Sequence, residues 1–146
     1  MTPEEILSFP PKILTQEQRE HYFEFGFVGI KDLVPFETLK LIKKVTSEFV
    51  EKSREVTESN NVFDIGPGHS YENPVLRRLK SPDENHEEYW NFSKGLMADV
   101  ASDLVGPNVT FHHSKLNFKW YDESDTVKWH QDLSLIHISE PTRLAT

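Results

Sequence analysis

A histidine and an aspartate two residues apart, His130 and Asp132, have the residue types and spacing that best suit metal chemistry in this sequence. Side chains two positions apart on an extended strand point to the same side, so this imidazole and this carboxylate can be aimed at one ion. The chain contains no cysteine, so any metal that it holds must be bound through nitrogen and oxygen. His130 and Asp132 are therefore candidate metal ligands.

The spacing alone is a weak signal. Seven histidines and 24 acidic residues predict roughly one His-x-acid match by chance, and the chain has a second one, at His86 and Glu88. His86 lies in an acidic helix start, where a solvated face is the expected setting. His130 instead follows a long predicted strand and a polar turn, with Trp129 beside it. Trp129 either flanks the site or packs in the core, since aromatic side chains dominate protein cores.

Composition excludes several other classes of site. The absence of cysteine excludes disulfides, iron–sulfur clusters and thiol catalysis. A formal net charge of −8 without a long basic cluster makes nucleic acid and anionic membranes poor partners. The N-terminus lacks the basic and apolar regions of a signal peptide, and no run of about 18 apolar residues occurs. A soluble, cytoplasmic protein is therefore predicted.

Two helices are predicted before residue 54. Thr15 and Gln18 fit a capping box, which starts a helix that ends at Gly26. Residues 27–30 are predicted to form a short buried strand. Pro35 then opens a second helix, whose apolar stripe comprises Leu39, Ile42, Val45 and Phe49.

In the middle of the chain, the residue pattern predicts an extended segment, a long helix and a long strand. Residues 73–79 form the extended segment. The helix spans residues 84–105, ends at Gly106, and buries Tyr89, Phe92, Leu96, Val100 and Leu104. The strand spans residues 109–120 and alternates, with Leu116, Phe118 and Trp120 on one face and His113, Lys115, Asn117 and Lys119 on the other.

The C-terminal residues 133–146 resemble the conceptual translation of a sequencing-library adapter. If they are, the genuine protein in this sequence is residues 1–132, and the tail is to be excluded from reasoning about the fold. His137 is then no ligand candidate. The alternative is a real C-terminal strand with alternating Ile and Leu.

Residues 14–132 as a whole resemble the phytanoyl-CoA dioxygenase family of non-haem iron(II), 2-oxoglutarate-dependent oxygenases. The resemblance rests on the order and spacing of several motifs, since none is decisive alone. They are Leu14-Thr15-Gln16-Glu17-Gln18 with Tyr22, Gly26 and Phe27, then residues 74–79, Gly106-Pro107-Asn108, residues 113–119, and Trp129-His130-Gln131-Asp132.

The resemblance implies an α+β fold in which N-terminal helices brace a double-stranded β-helix, a cupin-like relative of the jelly roll. Residues 1–132 would be the N-terminal portion of one oxygenase domain, with an incomplete β-helix. The second His ligand and the Arg that pairs with the far carboxylate of 2-oxoglutarate lie downstream in this family and have no match here. The 146-residue chain by itself is therefore predicted to be inactive and poorly soluble or partly unfolded.

The resemblance also implies the site. His130 and Asp132 would be catalytic as two ligands of a 2-His-1-carboxylate iron(II) triad. Arg78, Lys115 and Trp129 would bind the co-substrate, although Lys115 is equally well read as a solvated strand lysine.

The implied reaction hydroxylates a small organic substrate while 2-oxoglutarate and dioxygen are consumed and succinate is released, with ascorbate as a supporting reductant. Asp132 fills the position that related halogenases leave open, which favours hydroxylation.

Two other readings of the chain stay open. One is a cupin-type metal-dependent lyase or hydrolase, with zinc or manganese on His130, Asp132 and either His112 or His113. Adjacent strand residues point to opposite faces, so only one of these two histidines is expected to join a site. The other reading is a non-catalytic helical interaction domain that uses the stripe of the second helix. The sequence does not predict an oligomeric state.

Overall fold

The computed structural model describes residues 1–120, in which helices pack against a small antiparallel sheet. The N-terminal helices are α1 (Pro3–Leu7) and α2 (Gln16–Phe25). The predicted capping box of α2 is confirmed, because Thr15 Oγ1 accepts a hydrogen bond from the Gln18 N–H and the Gln18 side chain accepts one from the Thr15 N–H. Gly26 ends the helix in the left-handed conformation, at φ 79°.

The strand predicted at residues 27–30 is wrong. These residues form no strand, and the Phe27 side chain is 64% exposed. A strand needs a neighbouring strand to satisfy its backbone groups, and within residues 1–120 none lies beside this segment. The Phe27 ring instead packs edge-on against His21, with ring centroids 5.2 Å apart.

Helix α3 (Phe36–Ser53) begins directly after Pro35, as predicted. Its apolar stripe is confirmed only in its second half. Val45 and Phe49 are buried and Ile42 is partly buried, whereas Leu39 is 41% exposed. The first turns of α3 therefore contribute less to the core than the periodicity indicates.

The sheet contains β1 (Phe63–Ile65), β2 (Leu76–Lys80) and β3 (Lys115–Asn117), in the order β1-β2-β3 and antiparallel throughout. Strand β2 confirms the predicted extended segment. The long strand predicted for residues 109–120 is shorter, because its ladder to β2 covers only Lys115–Asn117. Three strands in the described part of the chain do not establish a double-stranded β-helix.

The single helix predicted over residues 84–105 is broken into four pieces. These are α4 (Pro82–Asn85), α5 (Glu87–Phe92), a π-helical turn (Ser93–Met97) and α6 (Ala98–Val105). The breaks occur at His86, which is extended at φ −155° and ψ 130°, and at Gly95, with φ −93° and ψ −110°. The predicted end at Gly106 is confirmed. Of the side chains predicted to be buried, Tyr89 is buried, whereas Phe92, Leu96, Val100 and Leu104 are only partly buried.

The main hydrophobic core lies between α3, α5 and one face of the sheet. Its buried members are Val45, Phe49, Leu79 and Tyr89. Partly buried side chains surround them: Phe63 of β1, Leu116 of β3, and Ile42, Val62 and Phe118. The helices thus cover one face of the sheet, and the polar side chains of the strands lie on the other face.

A buried polar cluster connects the N-terminus to α6. The Asp103 carboxylate, 3% exposed, accepts hydrogen bonds of 2.8 Å from the backbone N–H groups of Lys12, Ile13 and Leu14. Arg19, 1% exposed, donates to the backbone carbonyls of Asp103, Phe9 and Ile6. Burial raises the pKa of the Asp103 carboxyl, but these N–H donors and the Arg19 charge outweigh it, and the pKa lies below its ordinary value.

Gly66 allows β1 and β2 to approach closely, and Gly66→Ala is expected to lower the free energy of unfolding by roughly 1–3 kcal/mol. A Cβ at this position would lie 2.8 Å from Val75 Cγ1 and 3.1 Å from Arg77 Cγ. Gly29→Ala is the control, since a Cβ there meets nothing within 4 Å. Urea unfolding measures both, and equal stability of the two variants would contradict the prediction.

No helix among residues 1–120 has both the length and the apolar character that crossing a membrane requires.

Candidate functional site: the polar face of the sheet

The sheet face that the helices do not cover is lined by polar side chains. Asp64, Arg78 and Asn117 lie side by side across β1, β2 and β3. Lys80 and Lys115 form the next pair along β2 and β3. Because strand side chains alternate between faces, these five lie opposite Phe63, Leu79 and Leu116, which pack into the core. We call this set the polar face.

The polar face carries an excess of positive charge. It holds three cations, Arg78, Lys80 and Lys115, against one carboxylate, Asp64, while the whole chain carries −8. Arg78 Nε lies 3.7 Å from Asp64 Oδ2. Lys80 Nζ donates a 2.8 Å hydrogen bond to the backbone carbonyl of Asn60. The arrangement is suited to a small anion.

The structure brings together two of the residues selected from the sequence. Arg78 of β2 lies directly opposite Asn117 of β3, and Lys115 lies two positions before Asn117 on β3. Such diagonal neighbours are separated by roughly 7–8 Å, within reach of long side chains. Arg78 and Lys115 can therefore contact one ligand, whereas their role toward 2-oxoglutarate stays a prediction.

The residues of the predicted metal site are not among those that the structure describes. Trp129, His130 and Asp132 lie outside the described residues. Among residues 1–120, no group of three or more His, Asp or Glu side chains is arranged to hold a metal ion.

The expectation that His112 and His113 point to opposite faces is wrong. These residues precede β3 and are not in a strand, so the alternation of a strand does not apply to them. Their Nδ1 atoms face each other, and the ring centroids are 4.7 Å apart. Both imidazoles are exposed.

Two other histidines have structural roles. His86 is partly buried rather than fully solvated, and its Nδ1 caps α5 by accepting a 3.2 Å hydrogen bond from the Glu88 N–H. Nδ1 of His69 accepts a 2.9 Å hydrogen bond from the Val75 N–H, so its Nε2–H donates to the carbonyl of Ser53 at 2.9 Å. His69 thereby fixes the loop after β1 to the end of α3.

Asp64 is a residue of the polar face that the sequence pattern does not single out. Strand β1 has only three residues, and no strand is predicted there from the sequence. The alternation of Phe63, Asp64 and Ile65 between Asn61 and Gly66 was the available signal, because turn residues commonly bound a short strand.

A concavity lies between the π-helical turn and the segment before β3. It has a volume of about 430 Å³ between the π-helical turn, α6 and residues 109–112, with walls formed largely by Met97, Ala98, Ala101 and Val109. Lys94 and His112 lie among its polar lining residues. No residue of the polar face contributes to it.

Comparisons with known proteins agree with one another. The family model described as Phytanoyl-CoA dioxygenase (PhyH) matches residues 22–146. A curated protein of Stutzerimonas stutzeri, "Probable alpha-ketoglutarate-dependent hypophosphite dioxygenase", is 23% identical over 117 residues, which cover 80% of this chain and 41% of that protein. The chain thus spans about two fifths of this relative's length. No solved structure matches.

Proposed function

Because the chain belongs to the phytanoyl-CoA dioxygenase family, we propose that it is the N-terminal portion of an Fe(II)- and 2-oxoglutarate-dependent dioxygenase that hydroxylates a small organic substrate. The family and the relative support such a dioxygenase in general. The observation that carries the proposal to this chain's own residues is the cationic polar face, whose last strand, β3, shortly precedes His130 and Asp132 in the sequence.

The donor set of the candidate metal site fits iron(II). An imidazole nitrogen from His130 and a carboxylate oxygen from Asp132 are ligand types of a 2-His-1-carboxylate site. Bound iron would supply, together with dioxygen, the oxidation that couples decarboxylation of 2-oxoglutarate to succinate with hydroxylation of a C–H bond. Ascorbate would serve only to maintain the reduced metal.

The chain's own residues would bind and orient the reactants. Arg78 and Lys115 would neutralise carboxylate charge on the polar face, since guanidinium and ammonium groups form strong charge-assisted hydrogen bonds. Trp129 would flank the metal ligands. The carboxylate of Asp132 would occupy the coordination position that a halide needs, which favours hydroxylation. The helices on the opposite sheet face would hold the strands in place.

We also propose that residues 133–146 are not native and that residues 1–132 are continued in the parent protein. The resemblance of the tail to a library adapter supports this. The second His ligand and the Arg for 2-oxoglutarate would then lie in the continuation, so the 146-residue chain would be inactive. By the parent protein we mean the product of the natural reading frame that contains residues 1–132.

The proposal is tested by turnover of 2-oxoglutarate in the parent protein. Purified parent protein supplied with iron(II) and ascorbate is expected to form succinate even without a primary substrate, because these oxygenases turn over uncoupled. Chelation should remove the activity, and added iron should restore it. Absence of succinate under all these conditions would contradict the proposal, and zinc- or manganese-dependent hydrolysis instead would favour the cupin-type alternative.

A further inference from the structure

A half-buried imidazole joins three segments of the chain near the start of β2. His69 lies in the connection between β1 and β2. Its Nε2 lies 2.9 Å from the carbonyl oxygen of Ser53, the last residue of α3, and its Nδ1 lies 2.9 Å from the backbone nitrogen of Val75, the residue before β2. Ser53 and Val75 are both buried, at 0% and 5% exposure. We call this pair of hydrogen bonds the His69 clip.

Both partners of the imidazole are backbone groups whose hydrogen-bonding roles are fixed. A carbonyl oxygen only accepts a hydrogen bond, so Nε2 must carry a proton, and a backbone N–H only donates, so Nδ1 must carry none. The clip therefore requires the neutral ring. A proton added to Nδ1 would place two donors against each other, and the hydrogen bond to Val75 would be lost.

A positive charge on His69 acts differently on the two halves of the clip. Ser53 lies at the C-terminal end of α3, where the aligned peptide dipoles favour a cation. The hydrogen bond from Nε2–H to the Ser53 carbonyl is therefore compatible with the charged ring, whereas the bond to Val75 is not. Protonation would release the strand side of the clip and keep the helix side.

Val75 is the residue through which this loss would reach the sheet. Its carbonyl accepts a 2.8 Å hydrogen bond from the Gly66 N–H, directly after β1. The next residue, Leu76, pairs with Ile65 at the point where the register between β1 and β2 is irregular. Strand β2 is the middle strand of the described sheet. Release of Val75 would therefore loosen the middle strand at one end.

The charged groups near the clip do not replace the lost hydrogen bond. The elements in contact with the ring carry Glu51, Lys52 and Arg54 at the end of α3, Tyr71 and Glu72 in the connection, and Arg77 on β2. Arg54 pairs with Glu51 at 2.7 Å and donates to the carbonyls of Tyr71 and Glu72, so it holds the connection at any physiological pH. Both ring nitrogens of His69 bond to backbone groups, not to a carboxylate that would favour the charged ring.

We propose that the His69 clip is a pH-sensitive switch, in which uptake of a proton by His69 releases the start of β2 while the ring stays attached to the end of α3. Histidine is the side chain that ordinarily changes charge between about pH 5 and pH 8. The switch would therefore operate near physiological pH. It does not depend on the proposed function.

NMR of the isotopically labelled parent protein tests the inference. At about pH 8, the ring nitrogens of His69 are expected to show a neutral imidazole with its proton on Nε2. Between about pH 8 and pH 5, the protection of the Val75 amide against hydrogen exchange, corrected for the intrinsic rate, is expected to fall about tenfold, the effect of one lost hydrogen bond. The amide of Leu79, buried further along β2, should keep its protection.

Variants separate the effect of the proton from that of the side chain. His69→Asn keeps an acceptor near the position of Nδ1 but cannot titrate, so the protection of Val75 should no longer depend on pH. His69→Phe has no acceptor, and its Val75 protection should be low throughout. His112→Asn replaces an exposed imidazole and should leave the pH dependence at Val75 unchanged.

Four outcomes would overturn the inference. They are a proton on Nδ1 at neutral pH, a ring that stays neutral down to about pH 5, Val75 protection that does not change while the ring titrates, and a pH dependence that persists in His69→Asn. The first three are measured on the unsubstituted protein, so they decide the question even if the variants do not fold.

Discussion

His130→Ala in the parent protein is expected to abolish iron-dependent succinate formation and to weaken iron(II) binding at least about 100-fold. Removing a residue that merely orients a metal ligand already costs roughly 10–100-fold in affinity or activity, and loss of the ligand itself should cost more. Iron binding is measured by titration under anaerobic conditions, and succinate by chromatography. Iron affinity is the primary measurement, because it reports on the site whatever the substrate.

The chain offers a matched control in its other His-x-acid pair. His86 caps α5 through Nδ1, and asparagine is among the best N-cap residues. His86→Asn should therefore leave both iron binding and turnover near wild type. Full iron affinity in His130→Ala would contradict both the dioxygenase proposal and the cupin-type alternative.

Asp103→Ala is expected to lower the free energy of unfolding by about 3–5 kcal/mol, the cost of removing one partner from a buried charged cluster. The substitution removes the acceptor of three backbone N–H groups and leaves the Arg19 charge, 1% exposed, without its neighbouring carboxylate. Urea denaturation followed by tryptophan fluorescence measures the change.

Asp99 provides the control, one turn earlier on the same helix. Its carboxylate is 41% exposed and accepts a 2.8 Å hydrogen bond from Lys12 Nζ. Exposed pairs of this kind contribute about 0–1 kcal/mol, so Asp99→Ala should be nearly neutral. A similar loss in Asp99→Ala and Asp103→Ala would contradict the role given to the buried cluster.

The same carboxyl predicts a pH dependence of stability. The pKa of Asp103 is lower in the folded protein than the ordinary value of 3.8. The unfolded chain therefore takes up a proton on this group at higher pH than the folded chain. The stabilisation by Asp103 is complete above the ordinary pKa of 3.8 and is lost as the pH falls through the lower pKa of the folded protein. In Asp103→Ala, this part of the acid dependence of the free energy of unfolding should be missing.

Local signals predicted the helix ends well. The Thr15 capping box, Pro35 before α3, and Gly26 and Gly106 after their helices are all confirmed. Each depends on hydrogen bonds or backbone angles within a few residues. Sequence alone was sufficient for these helix ends, although the equally local breaks at His86 and Gly95 were not predicted.

Features that depend on distant partners were not predicted. Residues 27–30 have the apolar composition of a strand, but nothing in a local window indicates whether a partner strand lies beside them. The same limit explains why residues 109–114 do not extend β3. It also explains the error at His112 and His113, whose opposite orientation was deduced from a strand that does not form there.

The residues of the candidate site also differ in whether the sequence alone could predict them. Arg78 and Lys115 were selected through a family resemblance, and the structure places them on one sheet face. Asp64 could not be selected in this way, since its place on the polar face depends on the pairing of β1 with β2. His130 and Asp132 lie outside the described residues, so their assignment stays a prediction.

The buried cluster around Asp103 makes residues before the family match part of the folded unit. The family match begins at residue 22, yet Arg19 and the N–H donors of residues 12–14 come before it. A protein that started at residue 22 would retain the buried Asp103 carboxylate but lose its three N–H donors, and it would also lose Arg19, which donates to the backbone carbonyl of Asp103. A truncation study should therefore place the minimal stable N-terminus before Ile6, whose carbonyl Arg19 also binds, and not at the start of the family match.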